Sequence, residues 1–280
     1  MSMLDFLDEY DVVNSIRLQI RHASGINKSW IIVEGITDHK LFSKLIDGDS
    51  VEIEISHGGL SSVKIAVSEL LKETDSVLGI LDADFIRLDD KTVTDDNIFL
   101  SDFHDAEMMI IACDNAFNAI MREYITNGKA FNSLRQKLLQ SISFIGGLRW
   151  INDADNLKLN FKNMGFGGFY NGERCCLEED TFLREVMNRS PNKKRTVSTK
   201  EVKNKIKNVS DFFNLCNGHD FQKVFALHMN SINKKGVKHE EIGKAFRIAY
   251  RFEDFQKTYL YTQLKEWSDA KSNVLFNEDI

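Results

Sequence analysis
Cysteine is scarce and unpatterned. Cys113, Cys175, Cys176 and Cys216 show no CxxC spacing, which excludes a zinc framework, and the adjacent Cys175 and Cys176 are poorly placed for a disulfide. Reduced thiols in a cytosolic, cytoplasmic protein are expected. Long apolar runs are also missing: MMIIAC, at Met108 to Cys113, is far too short to span a bilayer, so no membrane role is expected. The first residues, MSMLDFLDEYD, lack the basic groups of a targeting peptide, which points to a soluble, uncleaved chain. No internal repeat is visible, and the single proline, Pro191, opens a basic segment. What the chain does have is core material: 42% of its 280 residues are hydrophobic and 20 are Phe, which excludes a disordered chain. The length is about twice the commonest domain size, so either one large α/β unit or a core with an appendage is expected.

Charge is unevenly placed. Residues 1 to 110 hold 9 basic and 22 acidic side chains, a balance of -13; the rest hold 27 and 20, a balance of +7. An acidic half that holds cations joined to a basic half that attracts a polyanion gives this pattern, and so do two ordinary solvated surfaces.

Apolar spacing predicts a leading helix from Phe6 to Ala23, within a segment 1-24. SWIIVEG then reads as a buried strand, Val51 to Ser56 as a second, Ser76 to Asp84 as a third and Asn97 to Asp102 as a fourth, with helices DHKLFSKLI and LSSVKIAVSELLKE between the first three. Alternating strands and helices predict a parallel sheet in an α/β core over residues 25-118. Beyond it, 119-280 reads as a mostly helical accessory region, part of it able to pack back on the core. Expected helices are AEMMIIACDNAFNAIMREYI, KAFNSLRQKLLQSI, EDTFLREVMNR, FQKVFALHMNSI, HEEIGKAFRIAYRFEDF and KTYLYTQLKEWSDA, with an irregular stretch from Asn156 to Gly172. Right-handed crossovers put the carboxyl ends of all parallel strands on one edge, where ligand sites collect. Glu34, the His57-Gly58-Gly59 turn, Asp82, Asp84 and the stretch Asp102 to Glu107 all fall there.

Asp82 and Asp84 follow the third strand as DxD. In an extended segment residues i and i+2 share a face, so two carboxylates there can hold a divalent cation; an Asp pair after a strand also simply starts turns. Glu34 adds a third acid, and three carboxylates without a compensating Arg call for Mg²⁺ or Mn²⁺, which supports phosphoryl chemistry.

Together, Glu34-Gly35 after the first strand (IIVEGITDHK), the glycine turn after the second (SHGG) and DxD after the third (ILDADF) resemble the Toprim fold of topoisomerases, bacterial-type primases and overcoming-lysogenization-defect nucleases. The resemblance covers about the first third of the chain. It implies a Toprim-like core and metal-dependent cleavage of nucleic-acid phosphodiesters, with Glu34 as metal ligand and proton carrier and Asp82 and Asp84 as metal ligands. The catalytic Tyr context and the size of a topoisomerase are lacking. TDHK after Glu34, DFHDAEMMI, LRWINDADNLKLNFKNM and the NGHDF box (Asn217 to Phe221) are similar to Toprim-like effector nucleases paired with an ABC-type ATPase in phage defence, as in the PARIS systems. That likeness implies a restraining ATPase partner and a toxic effector that cuts RNA rather than DNA, transfer RNA foremost. The oligomeric state stays open, a homodimer being one option.

Other candidates carry two readings each. Asp105 and Glu107 either complete a second metal site or cap the helix that follows. His104 either contacts phosphate or sits on the surface; Asp220 either joins His219 in catalysis or caps a helix. Gly58 and Gly59 either present N–H groups to a phosphate or form a tight turn. Asp38 and Lys40, in TDHK, are secondary candidates, Lys40 being equally a solvated side chain. Asn192 to Lys207 holds Lys193, Lys194, Arg195, Lys200, Lys203, Lys205 and Lys207 against one acid, Glu201, and either guides a nucleic-acid backbone or forms a solvated face. Phe166 and Phe169 read as core, with base stacking unsupported.

The expected function is a Mg²⁺-dependent endonuclease. One rival is a haloacid-dehalogenase-like phosphatase with Asp82 as nucleophile, although its motif belongs on the first strand and takes Thr or Val where Ile86 stands. The other is a non-catalytic module whose acidic edge docks a basic partner.

Overall fold
The computed structural model describes residues 9–22, 27–56, 58–125, 131–233 and 236–276. In chain order, α1 (Glu9–Ile20) leads into β1 (Ser29–Val33), α2 (Ile36–Leu45), β2 (Val51–Ile55), α3 (Gly59–Leu70), β3 (Val77–Leu81) and β4 (Ile98–Leu100). Helices follow: α4 (Ala106–Ala112), α5 (Asp114–Tyr124) and α6 (Phe131–Ala154). A two-stranded antiparallel pair, β5 (Tyr170–Asn171) and β6 (Cys176–Leu177), precedes α7 (Glu179–Asn188), α8 (Thr199–Ile206), α9 (Phe212–Leu215), α10 (Gly218–Asn233), α11 (His239–Ala249), α12 (Phe252–Phe255) and α13 (Tyr259–Lys271). The ends of the expected leading helix, and His57, lie outside the described residues. Among the described residues no helix is long and apolar enough to cross a membrane.

The chain divides into two compact units that interleave in sequence. A sheet unit takes Met1–Ala83, Lys91–Ala106 and Arg251–Ile280; a helical unit takes Asp84–Asp90 and Glu107–Tyr250. The return of the C-terminal segment to the sheet unit has a local cause. The Asp102 carboxylate, just past β4, accepts hydrogen bonds from the Tyr259 and Leu260 amides (both 2.8 Å), satisfying the first turn of α13, and Trp267 Nε1 donates to Asn97 Oδ1 at 3.0 Å.

The four strands of the sheet unit form an all-parallel sheet flanked by helices, in the order β2-β1-β3-β4. Every residue of β1 and β3 is buried, which is why SWIIV and VLGIL read as continuous apolar runs rather than alternating ones. Trp30 and Ile32 pack with Val13 and Ile16 of α1 and with Val63, Val67 and Leu70 of α3. Gly79, in the middle of β3, has no room for a side chain: a Cβ would stand 2.8 Å from Val63 Cγ1 and from Ile98 Cδ1. The chain leaves β1 for β2 on one side, then crosses back to β3 on the other. Neighbouring β1 and β3 are therefore the topological switch point, where ligand sites of open parallel sheets collect.

In the helical unit the helix expected over 106–125 is two. Cys113 leaves helical geometry (φ -66°, ψ 116°), and Arg135 Nη1 donates to the freed carbonyls of Ile111 (3.1 Å) and Ala112 (3.0 Å). The single helix expected around HEEIGKAFRIAYRFEDF likewise stops at Tyr250 (ψ 121°), and α12 starts afresh after Arg251. Gly146 of α6 lets α9 approach: a Cβ there would lie 2.5 Å from the Leu215 carbonyl oxygen. Gly146→Ala is therefore expected to cost about 1–3 kcal/mol of overpacking, seen as a lower thermal midpoint. Gly48→Ala, where a Cβ meets nothing within 4 Å, is the matched control and should leave the midpoint unchanged or higher.

Candidate active site
Glu34 is the first residue after β1 and Asp82 the first after β3, so both stand at the switch point of the sheet unit. Glu34 Oε1 accepts a hydrogen bond from the Asp82 amide at 3.0 Å, tying the two strand ends together. Its other oxygen faces the start of α3, 3.8 Å from where a Cβ on Gly59 would be. Gly59 has φ +69°, a left-handed conformation that glycine takes without strain, which accounts for a glycine at that turn. Gly58 caps α3 with no side-chain bond. Burial raises the Glu34 carboxyl above the ordinary glutamate range, and the Asp82 hydrogen bond offsets only part of that.

Asp82 is half-buried, and its Oδ1 accepts from the Ala106 amide at the start of α4 (3.1 Å). Beyond it the extended geometry expected of DxD ends. β3 stops at Leu81, the Ala83 amide donates to Ser101 Oγ at 3.0 Å, and Asp84 is exposed with φ 44°. The same-face argument for the two aspartates therefore does not hold; Asp84 opens the segment that belongs to the helical unit. There Phe85 stacks on Trp150 and Asp89 accepts from Trp150 Nε1 at 2.8 Å, which anchors the chain after the motif.

His104 is buried (3% exposed) rather than a surface residue, as is Asp105 (2%). Asp38 is buried in the first turn of α2, and Lys40 is exposed. In the helical unit Glu107 is 5% exposed, its Oε1 makes no hydrogen bond, and His219 Nε2 lies 3.5 Å away. Asp220 is no simple cap. Its buried carboxylate receives Arg149 Nε (2.8 Å) and Nη2 (3.2 Å) and Lys223 Nζ (3.2 Å). Burial alone would raise its carboxyl; the two cations outweigh that and hold it below the usual aspartate range. The motif reading misses Arg149 and Lys223, although Arg149 lies in the LRWINDA run and Asp220 in the NGHDF box, 71 positions apart.

In the basic segment Arg195 pairs with Glu201 (2.7 Å) and with Asp155, and Lys203 pairs with Glu179 (2.6 Å). Lys193 Nζ reaches the Ser190 carbonyl at 3.4 Å, and Lys205 sits over the Trp150 ring. Lys194, Lys200 and Lys207 are exposed and form no ion pair with a described residue. Phe166 is buried edge-on against Phe182, a core position.

Glu34 and Asp82 offer the hard carboxylate oxygens that Mg²⁺ and Mn²⁺ take, and the desolvated Glu34 is a carboxylate that gains from a nearby cation. In their present rotamers one oxygen of each is spent on a backbone amide, and among the described residues no three His, Cys, Asp or Glu side chains are grouped to hold a metal ion. No protein-family model matches the chain, and no curated protein matches it.

Proposed function
We propose that the chain is a metal-dependent nuclease, a toxic effector that cuts RNA, with transfer RNA the favoured target and an ABC-type ATPase as its restraining partner. The observation that carries the reading is the Glu34–Asp82 hydrogen bond at the switch point of an all-parallel sheet, which brings acids from distant chain positions to one sheet edge. The motif resemblance to the AriB effectors of PARIS defence systems supplies the substrate class and the partner.

In this reading Glu34 and Asp82 hold Mg²⁺ or Mn²⁺, with Asp84 entering through the DxD motif. The bound ion supplies charge neutralisation at phosphorus and a lowered pKa of the attacking hydroxyl. Glu34, its carboxyl raised by burial, is suited to take up and return a proton. The Ala106 amide, donating to Asp82 Oδ1, holds that carboxylate in place. The exposed Lys194, Lys200 and Lys207 attract the strand. Reversing these three charges is expected to flatten the dependence of log affinity on log salt, by about 0.7 in slope for every strand phosphate left unneutralised, measured by filter binding.

The test is expression of the wild type and Glu34→Ala in bacteria, followed by sequencing of RNA and DNA ends. New RNA ends in the wild type alone are expected. Identical ends in both strains would remove the reading; wild-type-only ends in DNA would move the substrate.

A further inference from the structure
The helical unit carries an open pocket of about 860 Å³ that the nuclease reading does not use, within the size range of small-ligand sites. Arg149, Asp220 and Lys223 form part of its wall. Asp220 is 2% exposed, whereas the Arg149 and Lys223 side chains keep 25% and 20% of their surface. One carboxylate thus faces two cations. The bidentate Arg149 bond alone would neutralise it, so Lys223 leaves a positive charge in excess on the pocket wall.

The donors are also in excess. Arg149 spends Nε and Nη2 on Asp220, leaving Nη1, and Lys223 spends one ammonium hydrogen. The wall continues through Gly165, Phe166 and Gly167, whose backbone N–H groups donate to no described acceptor. These amides, two of them on exposed glycines, and the unspent N–H groups of Arg149 and Lys223 put hydrogen-bond donors in excess on one pocket wall. The other charged linings are Lys238 and Glu240, the latter with His239 Nδ1 at 3.3 Å, so they cancel.

We propose that this pocket is a phosphate-binding site, taking a phosphoryl group carried by a free nucleotide or by a nucleic-acid strand. A tetrahedral dianion or a diester supplies only acceptors, which matches a wall with donors to spare, and a guanidinium with one open edge is suited to it. The site is built from residues of the helical unit alone, and its occupancy does not depend on cleavage.

The test is calorimetric titration of the full chain, with chelator present, using inorganic phosphate, AMP, adenosine and an RNA dodecamer. AMP or the dodecamer is expected to bind and to be displaced by inorganic phosphate, while adenosine does not bind. Lys223→Met keeps the Arg149–Asp220 pair and should weaken binding by about tenfold or more, the loss of a charge-assisted hydrogen bond. Asp220→Asn removes the competing carboxylate and should leave affinity equal or higher, whereas a purely structural triad gives only a less stable protein. AMP binding with this variant pattern assigns a free nucleotide; dodecamer binding without AMP assigns the strand. The proposal is overturned if adenosine binds as well as AMP, if neither probe binds, or if Lys223→Met binds like the wild type. None of these results bears on Glu34.

Discussion

Glu34→Gln is expected to abolish cleavage while raising the thermal midpoint of the chelator-treated protein. Loss of a proton carrier alone removes about 10²–10⁴ in rate, and loss of a metal ligand adds to it. The stability gain follows from linkage. Burial raises the folded-state pKa of Glu34, so the native state binds its proton more tightly than the unfolded chain does. Its contribution is most favourable below the unfolded value and is lost as pH rises toward the raised folded value. Above the unfolded value the side chain therefore burdens the fold. Gln removes the charge and keeps an oxygen to accept from the Asp82 amide. The gain should shrink as pH falls toward the ordinary glutamate range, measured by thermal melts of both proteins from acid to neutral pH. A Glu34→Gln midpoint below that of the wild type at neutral pH would contradict this account of the side chain.

Arg149→Met is expected to have the largest effect on the helical unit. Removing Arg149 strips two charge-assisted hydrogen bonds from a buried carboxylate, at a cost below the roughly 3–5 kcal/mol of leaving a buried charge with no partner. Asp220 would keep only Lys223. Since its folded pKa is depressed, the pairing contributes stability above the unfolded aspartate value and loses it as pH falls through the folded one. The gap between wild type and Arg149→Met should therefore be widest near neutral pH and close in strong acid, as read by urea midpoints across pH. Asp220→Leu with Arg149→Met, which removes the buried carboxylate and leaves only the partly exposed Lys223, should recover part of the loss.

The sheet is legible in the sequence because its signals are local. SWIIV and VLGIL could hardly be anything but strands buried on both faces, and the helices between them force a parallel order. The helical breaks are not legible. Nothing in the run around Cys113 disfavours a helix strongly; the break is stabilised by Arg135, which reaches the Ile111 and Ala112 carbonyls from another helix. The same holds for the C-terminal segment, which joins the sheet unit through the Asp102 cap of α13. At the site, Glu34 and Asp82 are legible as residues that end strands. The left-handed turn at Asp84 is not, because Asp tolerates that conformation without announcing it. His104 reads as a surface loop residue because sequence reports its loop and not the packing that buries it. The Arg149–Asp220–Lys223 group depends on helices α6 and α10 meeting, which no local pattern encodes.

The most direct measurement is cleavage of bulk transfer RNA by the purified chain, followed on a gel, with Mg²⁺ or with excess chelator, for wild type and Glu34→Gln. Cleavage by the wild type in Mg²⁺ and by neither protein in chelator is expected, with Glu34→Gln inert throughout. Intact RNA after wild-type treatment in Mg²⁺, cutting that survives the chelator, or full cutting by Glu34→Gln would contradict a nuclease built on the acids at the strand ends.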